Sequence, residues 1–181
     1  MSALARALAA LHEAFSALKI PYMVIGGLAN AEWGVPRATL DVDVTAWVEE
    51  EGLPAAIAAL CNRFKSLVED PLGFVHGTRV LPLDVEGTKA DVVFGLLPYE
   101  QEAIARSVER SVEGTQVRFC TAEDLILHKI ISQRERDRED VRGVLKAQRG
   151  RLDRGYLEPR LRELSSLLQR PEIWEEYLYW R

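Results

Sequence analysis

Apolar residues at Leu4, Leu8, Leu11, Phe15 and Leu18 recur at helical spacing, and Pro21 forces extended geometry on its neighbour, so a first helix is expected to end near Lys19. Tyr22-Met23-Val24-Ile25 reads as a short buried strand. Gly26-Gly27 breaks it, and Leu28 to Trp33 can form a brief helix before the Gly34-Val35-Pro36 loop. Leu40 to Val48 alternates with β-branched residues and predicts a second strand. Pro54 suits the first turn of a helix whose apolar positions Ile57, Leu60 and Phe64 carry it to about Leu67. From Phe74 to Leu97 the pattern is strand-like, with Arg79 to Val85 and Ala90 to Phe94 forming a hairpin about Glu86-Gly87-Thr88. Tyr99 to Val108 is expected to be helical, and Gln116 to Phe119 to be another strand. Thr121 then N-caps a helix with acids in its first turn, and everything after Leu125 reads as helix.

Strands mixed with helices, two of them in a hairpin, predict an α/β (α+β) fold with a mixed sheet of four to five strands flanked by helices. The weak boundary at Gln148-Arg149-Gly150 divides the expected layout into a sheet-forming domain, residues 1–148, and a C-terminal helical extension, residues 149–181. The chain has 181 residues, 48% of them hydrophobic and 28% charged, with 12 Gly and 8 Pro. Disordered, collagen-like and disulfide-scaffold classes are excluded by that composition. No apolar run reaches the ~18 residues of a membrane span, so no membrane partner is expected. Cys61 and Cys120 are the only cysteines, each in an apolar stretch, which implies a reducing, cytoplasmic setting with two buried thiols.

Charge changes the picture when it is read by halves. Residues 1–127 carry ten Lys and Arg against 18 Asp and Glu, whereas residues 128–181 carry 13 against ten. An acidic half with an Arg-rich tail suits a metal centre beside a surface that meets a polyanion, although interleaved Glu135, Asp137, Glu139 and Asp140 could equally neutralise the tail as ion pairs.

Asp41-Val42-Asp43 is the most unusual local feature, because two carboxylates alternate with valines in an apolar strand. Side chains two apart on a strand share a face, so both carboxylates point the same way while Val42 and Val44 pack on the other side. Paired carboxylates raise each other's pKa unless a cation neutralises them, and hard oxygen ligands select Mg²⁺ or Mn²⁺. Upstream, Gly26-Gly27 lets backbone N–H groups at a helix start approach a phosphate, although a tight turn would use the same glycines. Arg37 and Thr39 add a guanidinium and a hydroxyl just ahead of the carboxylates. The histidines, His12, His76 and His128, lack metal-ligand spacing, and the tryptophans, among them Trp174 and Trp180 near Tyr177, read as packing residues.

Val24-Ile25-Gly26-Gly27 followed by Arg37-x-Thr39-x-Asp41-Val42-Asp43-Val44 resembles the first motif of the nucleotidyltransferase superfamily with the polymerase-β type fold. The wording is particularly similar to small prokaryotic proteins related to AbiEii-type toxins and to uncharacterised nucleotidyltransferase-like families. That superfamily needs a third carboxylate on a neighbouring strand, and Ala90-Asp91-Val92-Val93-Phe94 matches it. Asp84 in Leu83-Asp84-Val85 is the competing choice, placed second because the downstream spacing favours Asp91. Thr121-x-Glu123-Asp124-Leu125-x-x-x-Lys129, then Arg134-x-Arg136-Asp137-x-x-Asp140, is similar to the helical ending of those families, where a lysine and an arginine face the triphosphate. Asp41-Val42-Asp43-Val44-Thr45 also spells the nucleophile loop of haloacid-dehalogenase-type phosphatases, but Pro36-Arg37-Ala38-Thr39 replaces the apolar strand expected before it and no later G-D-x-x-x-D appears.

The resemblance implies a Mg²⁺- or Mn²⁺-dependent transfer of a nucleoside monophosphate from an NTP to a hydroxyl of an RNA, such as a tRNA end, or a protein, releasing pyrophosphate. Asp41, Asp43 and Asp91 would hold metal and act in catalysis, and Gly26, Gly27, Arg37, Thr39, Lys129 and Arg136 would meet the nucleotide. It also implies a possible place in a toxin-antitoxin pair. The alternative is a catalytically inactive member that binds nucleotide or a partner.

Overall fold

A computed structural model describes all residues, Met1–Arg181. Nine α-helices accompany one seven-stranded mixed sheet, so the expected α/β class is the one observed. The chain divides into two compact units, the first Met1–Leu28 with Ala38–Cys120 and the second Ala29–Arg37 with Thr121–Arg181. No helix is long and apolar enough to cross a membrane.

The first unit opens with α1 (Ala3–Leu18), N-capped by Ser2 and ended by Lys19 in the left-handed conformation, with Ala7, Leu8, Leu11 and Phe15 buried on one stripe. Strand β1 (Tyr22–Val24) leads to α2 (Gly26–Trp33), whose last residues belong to the second unit. Then follow β2 (Val42–Ala46), a short 3₁₀ turn, α3 (Leu53–Arg63), β3 (Lys65–Ser66), α4 (Pro71–Thr78), β4 (Val80–Val85), β5 (Thr88–Phe94), α5 (Pro98–Arg106), β6 (Val108–Val112) and β7 (Thr115–Phe119). The sheet order is β3-β4-β5-β2-β1-β7-β6. β2 runs parallel to β5 and antiparallel to β1, and β1 runs parallel to β7.

Seven strands replace the expected four to five. β3 is only two residues long, too short to leave a periodic signal. β6 is a half-exposed strand, Val-Glu-Arg-Ser-Val, which the expected helix over Tyr99 to Val108 met only at its end. Two-residue turns at Glu86-Gly87 and Glu113-Gly114 have positive φ at both positions, the geometry that matches the twist of the strands they join. Phe74 to Thr78, expected in a strand, is helical instead. Asp70 accepts a hydrogen bond from Gly73 N–H at 2.9 Å and Pro71 occupies the first turn, so local capping decided what hydrophobicity could not.

The second unit is built from α6 (Ala122–Ile130), α7 (Glu135–Ala147), α8 (Arg154–Leu167) and α9 (Glu172–Trp180), with residues 29–37. Gln148-Arg149-Gly150 lies in the turn between α7 and α8. Thr121 caps α6, and the acids of its first turn tie down α8: Tyr156 donates to Asp124 Oδ1 at 2.6 Å, and Asp153 N–H to Glu123 Oε1 at 2.8 Å.

Its centre is a knot of buried charge. Lys129 Nζ lies 2.8 Å from Asp137 Oδ1 and 2.7 Å from Asp140 Oδ2, with all three side chains no more than 8% exposed. Arg37 adds a two-pronged contact to Asp140, and Ser132 and Arg134 complete Asp137. Burial is the largest single influence on both carboxyls and opposes their ionisation. Hydrogen bonds from Lys129 and Ser132 to Asp137, and from Arg37 and Lys129 to Asp140, outweigh it with the cationic field and hold both below the ordinary carboxylate range.

Removing the lysine should therefore leave two buried anions short of one cation, with only Arg37, Arg134 and Ser132 to hold them. Lys129→Met is expected to cost about 3–5 kcal/mol at neutral pH, measured by urea unfolding. In the native protein the depressed carboxyls contribute stability fully above about pH 4, the unfolded value, and lose it as pH falls through their folded values. Without Lys129 both carboxyls lose part of what holds them down, so the deficit of the variant should shrink toward low pH, where they are protonated in either protein.

Candidate active site

The sheet brings the acidic residues together where β2 and β5 run parallel. Their register sets Asp43 directly across from Asp91, Val42 across from Ala90 and Val44 across from Val92. Val42, Val44, Ala90 and Val92 are fully buried on the opposite face, and this anchors the carboxylates to theirs. Asp41 stands one residue before β2, its Oδ1 accepting a hydrogen bond from Thr39 Oγ1 at 2.9 Å.

Gly26 closes on Asp43 from the other side. Its φ is +66°, and a Cβ there would lie 2.0 Å from Asp43 Oδ2, so glycine is required both by the backbone and by the carboxylate. A Cβ on Gly27 would come within 2.7 Å of Thr39 Oγ1. The Gly27 N–H, in the first turn of α2, donates to Asp43.

Even so, the Asp43 carboxyl is pushed above its usual range. Burial is the first cause and the negative charges of Asp41 and Asp91 follow; the Gly27 hydrogen bond and the Lys89 charge oppose them without prevailing. Lys89 Nζ lies 2.6 Å from Asp91 Oδ2. The lysine is held above its ordinary value first by that hydrogen bond, against a slight effect of burial, and then by the charges of Asp91, Asp41 and Asp43. Asp84 sits two residues nearer the hairpin turn, and its Oδ1 accepts the Gly87 N–H at 2.9 Å.

The donor set tests well for a hard divalent cation: three carboxylates on one sheet face, with a surplus of negative charge that raises Asp43. As they stand, no three acidic or other ligating side chains are drawn closely enough together to hold one ion, and Asp91 is turned to Lys89. The residues thus fit in type, and an ion shared by all three would need Asp91 to turn from Lys89 toward Asp43.

Of the residues singled out from the sequence, Gly26, Gly27, Thr39, Asp41, Asp43 and Asp91 fall in the first unit. Arg37, Lys129 and Arg136 fall in the second, where Arg37 and Lys129 bind the Asp137 and Asp140 carboxylates and Arg136 is exposed on α7. Sequence reasoning passed over Lys89, although its position two before Asp91 on a strand places the two on one face. It likewise gave Asp137 and Asp140 only a neutralising part.

α7 bears on the expected polyanion surface. Arg134 binds Asp137, Arg138 binds Glu176, and Arg142 binds Glu135. Arg138 and Arg142 also lie 5.6 and 5.3 Å from the centre of the Trp180 ring. Those three arginines are engaged within the unit.

Comparison with solved structures gives the same fold. The crystal structure of ANT(2'')-Ia in complex with adenylyl-2''-tobramycin superposes with a TM-score of 0.60 at 16% identity, covering 92% of this chain and 99% of that one. The solution structure of the antibiotic-resistance factor ANT(2'')-Ia gives 0.59 at 16% identity, covering 93% and 96%. An antigenic nucleotidyltransferase-like protein from Paracoccidioides brasiliensis gives 0.54 at 18% identity, covering 96% and 91%. Curated protein sequences yield no match. A family model described as "Nucleotidyltransferase of unknown function (DUF6036)" matches residues 2–172, and with nearly the whole length matched the chain belongs to that nucleotidyltransferase family.

Proposed function

We propose that the protein transfers a nucleoside monophosphate from an NTP to a hydroxyl of a small acceptor molecule. The observation that carries this reading is the Asp43–Asp91 register across β2 and β5, with Asp41 beside it and Gly26-Gly27 packed against both strand and carboxylate. Mg²⁺ or Mn²⁺ held by Asp41, Asp43 and Asp91 would supply neutralising charge to the triphosphate and to the departing pyrophosphate.

The chain's own groups do the rest. The acceptor oxygen forms a bond to the α-phosphorus as the bond from that phosphorus to the bridging oxygen of the β-phosphate breaks, and pyrophosphate leaves. Asp91, the one carboxylate of β5, takes the hydroxyl proton. Gly26 and Gly27 make room at the start of α2 for Asp43 and Thr39, which sets Asp43 in place for the cation, and Thr39 fixes the orientation of Asp41. Arg37 and Lys129 act as scaffold, since Asp137 and Asp140 already receive their charge.

A small acceptor is favoured over RNA because Arg134, Arg138 and Arg142 are committed to internal carboxylates. The adenylylated tobramycin in the ANT(2'')-Ia complex is an acceptor of that kind and makes ATP the first nucleotide to test. The Lys89–Asp91 ion pair favours the second reading, a member that binds nucleotide without transfer.

Incubation with each α-labelled NTP, Mg²⁺ or Mn²⁺, and separate pools of small metabolites, RNA and protein distinguishes these readings. Label should enter the small-molecule pool, and nucleotide binding without label in any pool would establish the second. Asp43→Asn and Asp91→Asn should each lower transfer by about 10²-fold or more with native thermal melts, whereas Asp84→Asn, whose side chain serves the hairpin turn, should stay within a few-fold. Equal, mild effects of the Asp91 and Asp84 changes would remove Asp91 from the chemistry.

Salt separates the acceptors independently. The KM for a small acceptor should change little between 50 and 200 mM salt, while an RNA held by six to ten phosphate contacts would lose roughly 10³–10⁵ in affinity over that range.

A further inference from the structure

Among the acidic side chains of the first unit stands one of opposite sign. Lys89 and Asp91 are two apart on β5 and share a face, and Asp91 lies across from Asp43. Asp41 stands one residue before β2, and on the other side of β5 Lys89 pairs with Asp84, whose Oδ1 accepts the Gly87 N–H. Lys89 is therefore the one cation beside Asp91, Asp43 and Asp41, with Asp84 at its other side already serving the hairpin turn. The ammonium is bonded to Asp91 at 2.6 Å, and the lysine side chain is 52% exposed against 21% for the carboxylate.

Stability gives this lysine little reason to be there, because an ion pair so exposed is worth at most about 1 kcal/mol. Its position explains more. A lysine presents a compact, mobile point charge on a flexible stem, which can leave one anion for another without disturbing the strand beneath. Asp91 is the carboxylate that a divalent ion must share with Asp43, and it is the one the ammonium holds.

Resting on the nucleotidyltransferase reading above, we propose that Lys89 is a resident counter-ion that competes with the divalent cation for Asp91 and transfers to the phosphates of an incoming NTP. Cation and nucleotide then bind cooperatively. Without nucleotide the ammonium keeps Asp91 occupied and the metal is held weakly. A triphosphate offers the ammonium a more highly charged partner, and the released Asp91 completes the cation's ligand set. By linkage the same coupling must make the metal raise nucleotide affinity by the same factor.

Mn²⁺ titration of the full-length protein, followed by the electron paramagnetic resonance of the free ion, tests this with a readout separate from catalysis. Lys89→Met should bind Mn²⁺ about tenfold more tightly than the native protein when no nucleotide is present, and Lys89→Gln should do the same. A non-hydrolysable ATP analogue should raise Mn²⁺ affinity strongly in the native protein and much less in either variant. Mn²⁺ affinity that is unchanged or weaker in both variants overturns the counter-ion role. If Asp43→Asn abolishes Mn²⁺ binding while Lys89 has no influence, that role alone fails and the transferase reading stands. Mn²⁺ binding that survives Asp43→Asn, or that is absent from every protein with and without the analogue, would falsify both.

Discussion

Placing Asp43 opposite Asp91 on adjacent parallel strands imposes the electrostatic constraint to which the surrounding residues answer. The valines that alternate with these acids are fully buried, so neither carboxylate can retreat without pulling core side chains into water. Each neighbouring feature reduces the resulting repulsion or makes room for it. Gly26 gives up a side chain so that Asp43 can fit; the Gly27 N–H donates to the same carboxylate; Thr39 ties Asp41; Lys89 holds Asp91. These contacts do not balance the charge, because Asp43 still has its carboxyl raised by burial and by its two acidic neighbours.

The second unit deals with the same problem in the opposite way. There two carboxylates, Asp137 and Asp140, meet Lys129, Arg37 and Arg134, and both acids are held below the ordinary range. Burial is then tolerable because every charge is paired and hydrogen-bonded. One cluster is electrically closed and belongs to the architecture. The other keeps a deficit of positive charge on a partly open sheet face, which is the condition for attracting a cation from solution.

How far the sequence could be read follows from this difference. Asp41-Val42-Asp43 announced itself because carboxylates alternating with buried valines have few structural explanations, and Asp91 because it stands alone in an apolar strand. The α/β class followed from alternating periodicities. Elements without such a signal were missed: a two-residue β3, a half-exposed β6, and α4, where the Asp70-Pro71 cap outweighs the apolar Phe74-Val75 pair. Charge totals left two readings of the tail open. A surplus of arginines over residues 128–181 suggested a polyanion surface, whereas Arg134, Arg138 and Arg142 close on Asp137, Glu176 and Glu135, and counting signs cannot reveal pairing in three dimensions. Lys89 was legible in principle, since strand spacing alone puts it beside Asp91.

The raised Asp43 carboxyl carries the argument from architecture to use. A group that holds its proton more tightly folded than unfolded contributes stability at low pH, and the fold loses that contribution as pH rises through the folded value. At neutral pH the native state therefore works against its own carboxylate. An asparagine would fill the same space, keep a hydrogen bond from Gly27 and relieve the repulsion from Asp41 and Asp91. A fold under structural demands alone gains nothing by keeping the acid there, while a fold that must bind a divalent cation needs the uncompensated charge in advance of binding. Lys89 moderates that cost at Asp91 without cancelling it, because one mobile ammonium among three carboxylates leaves two negative charges in place.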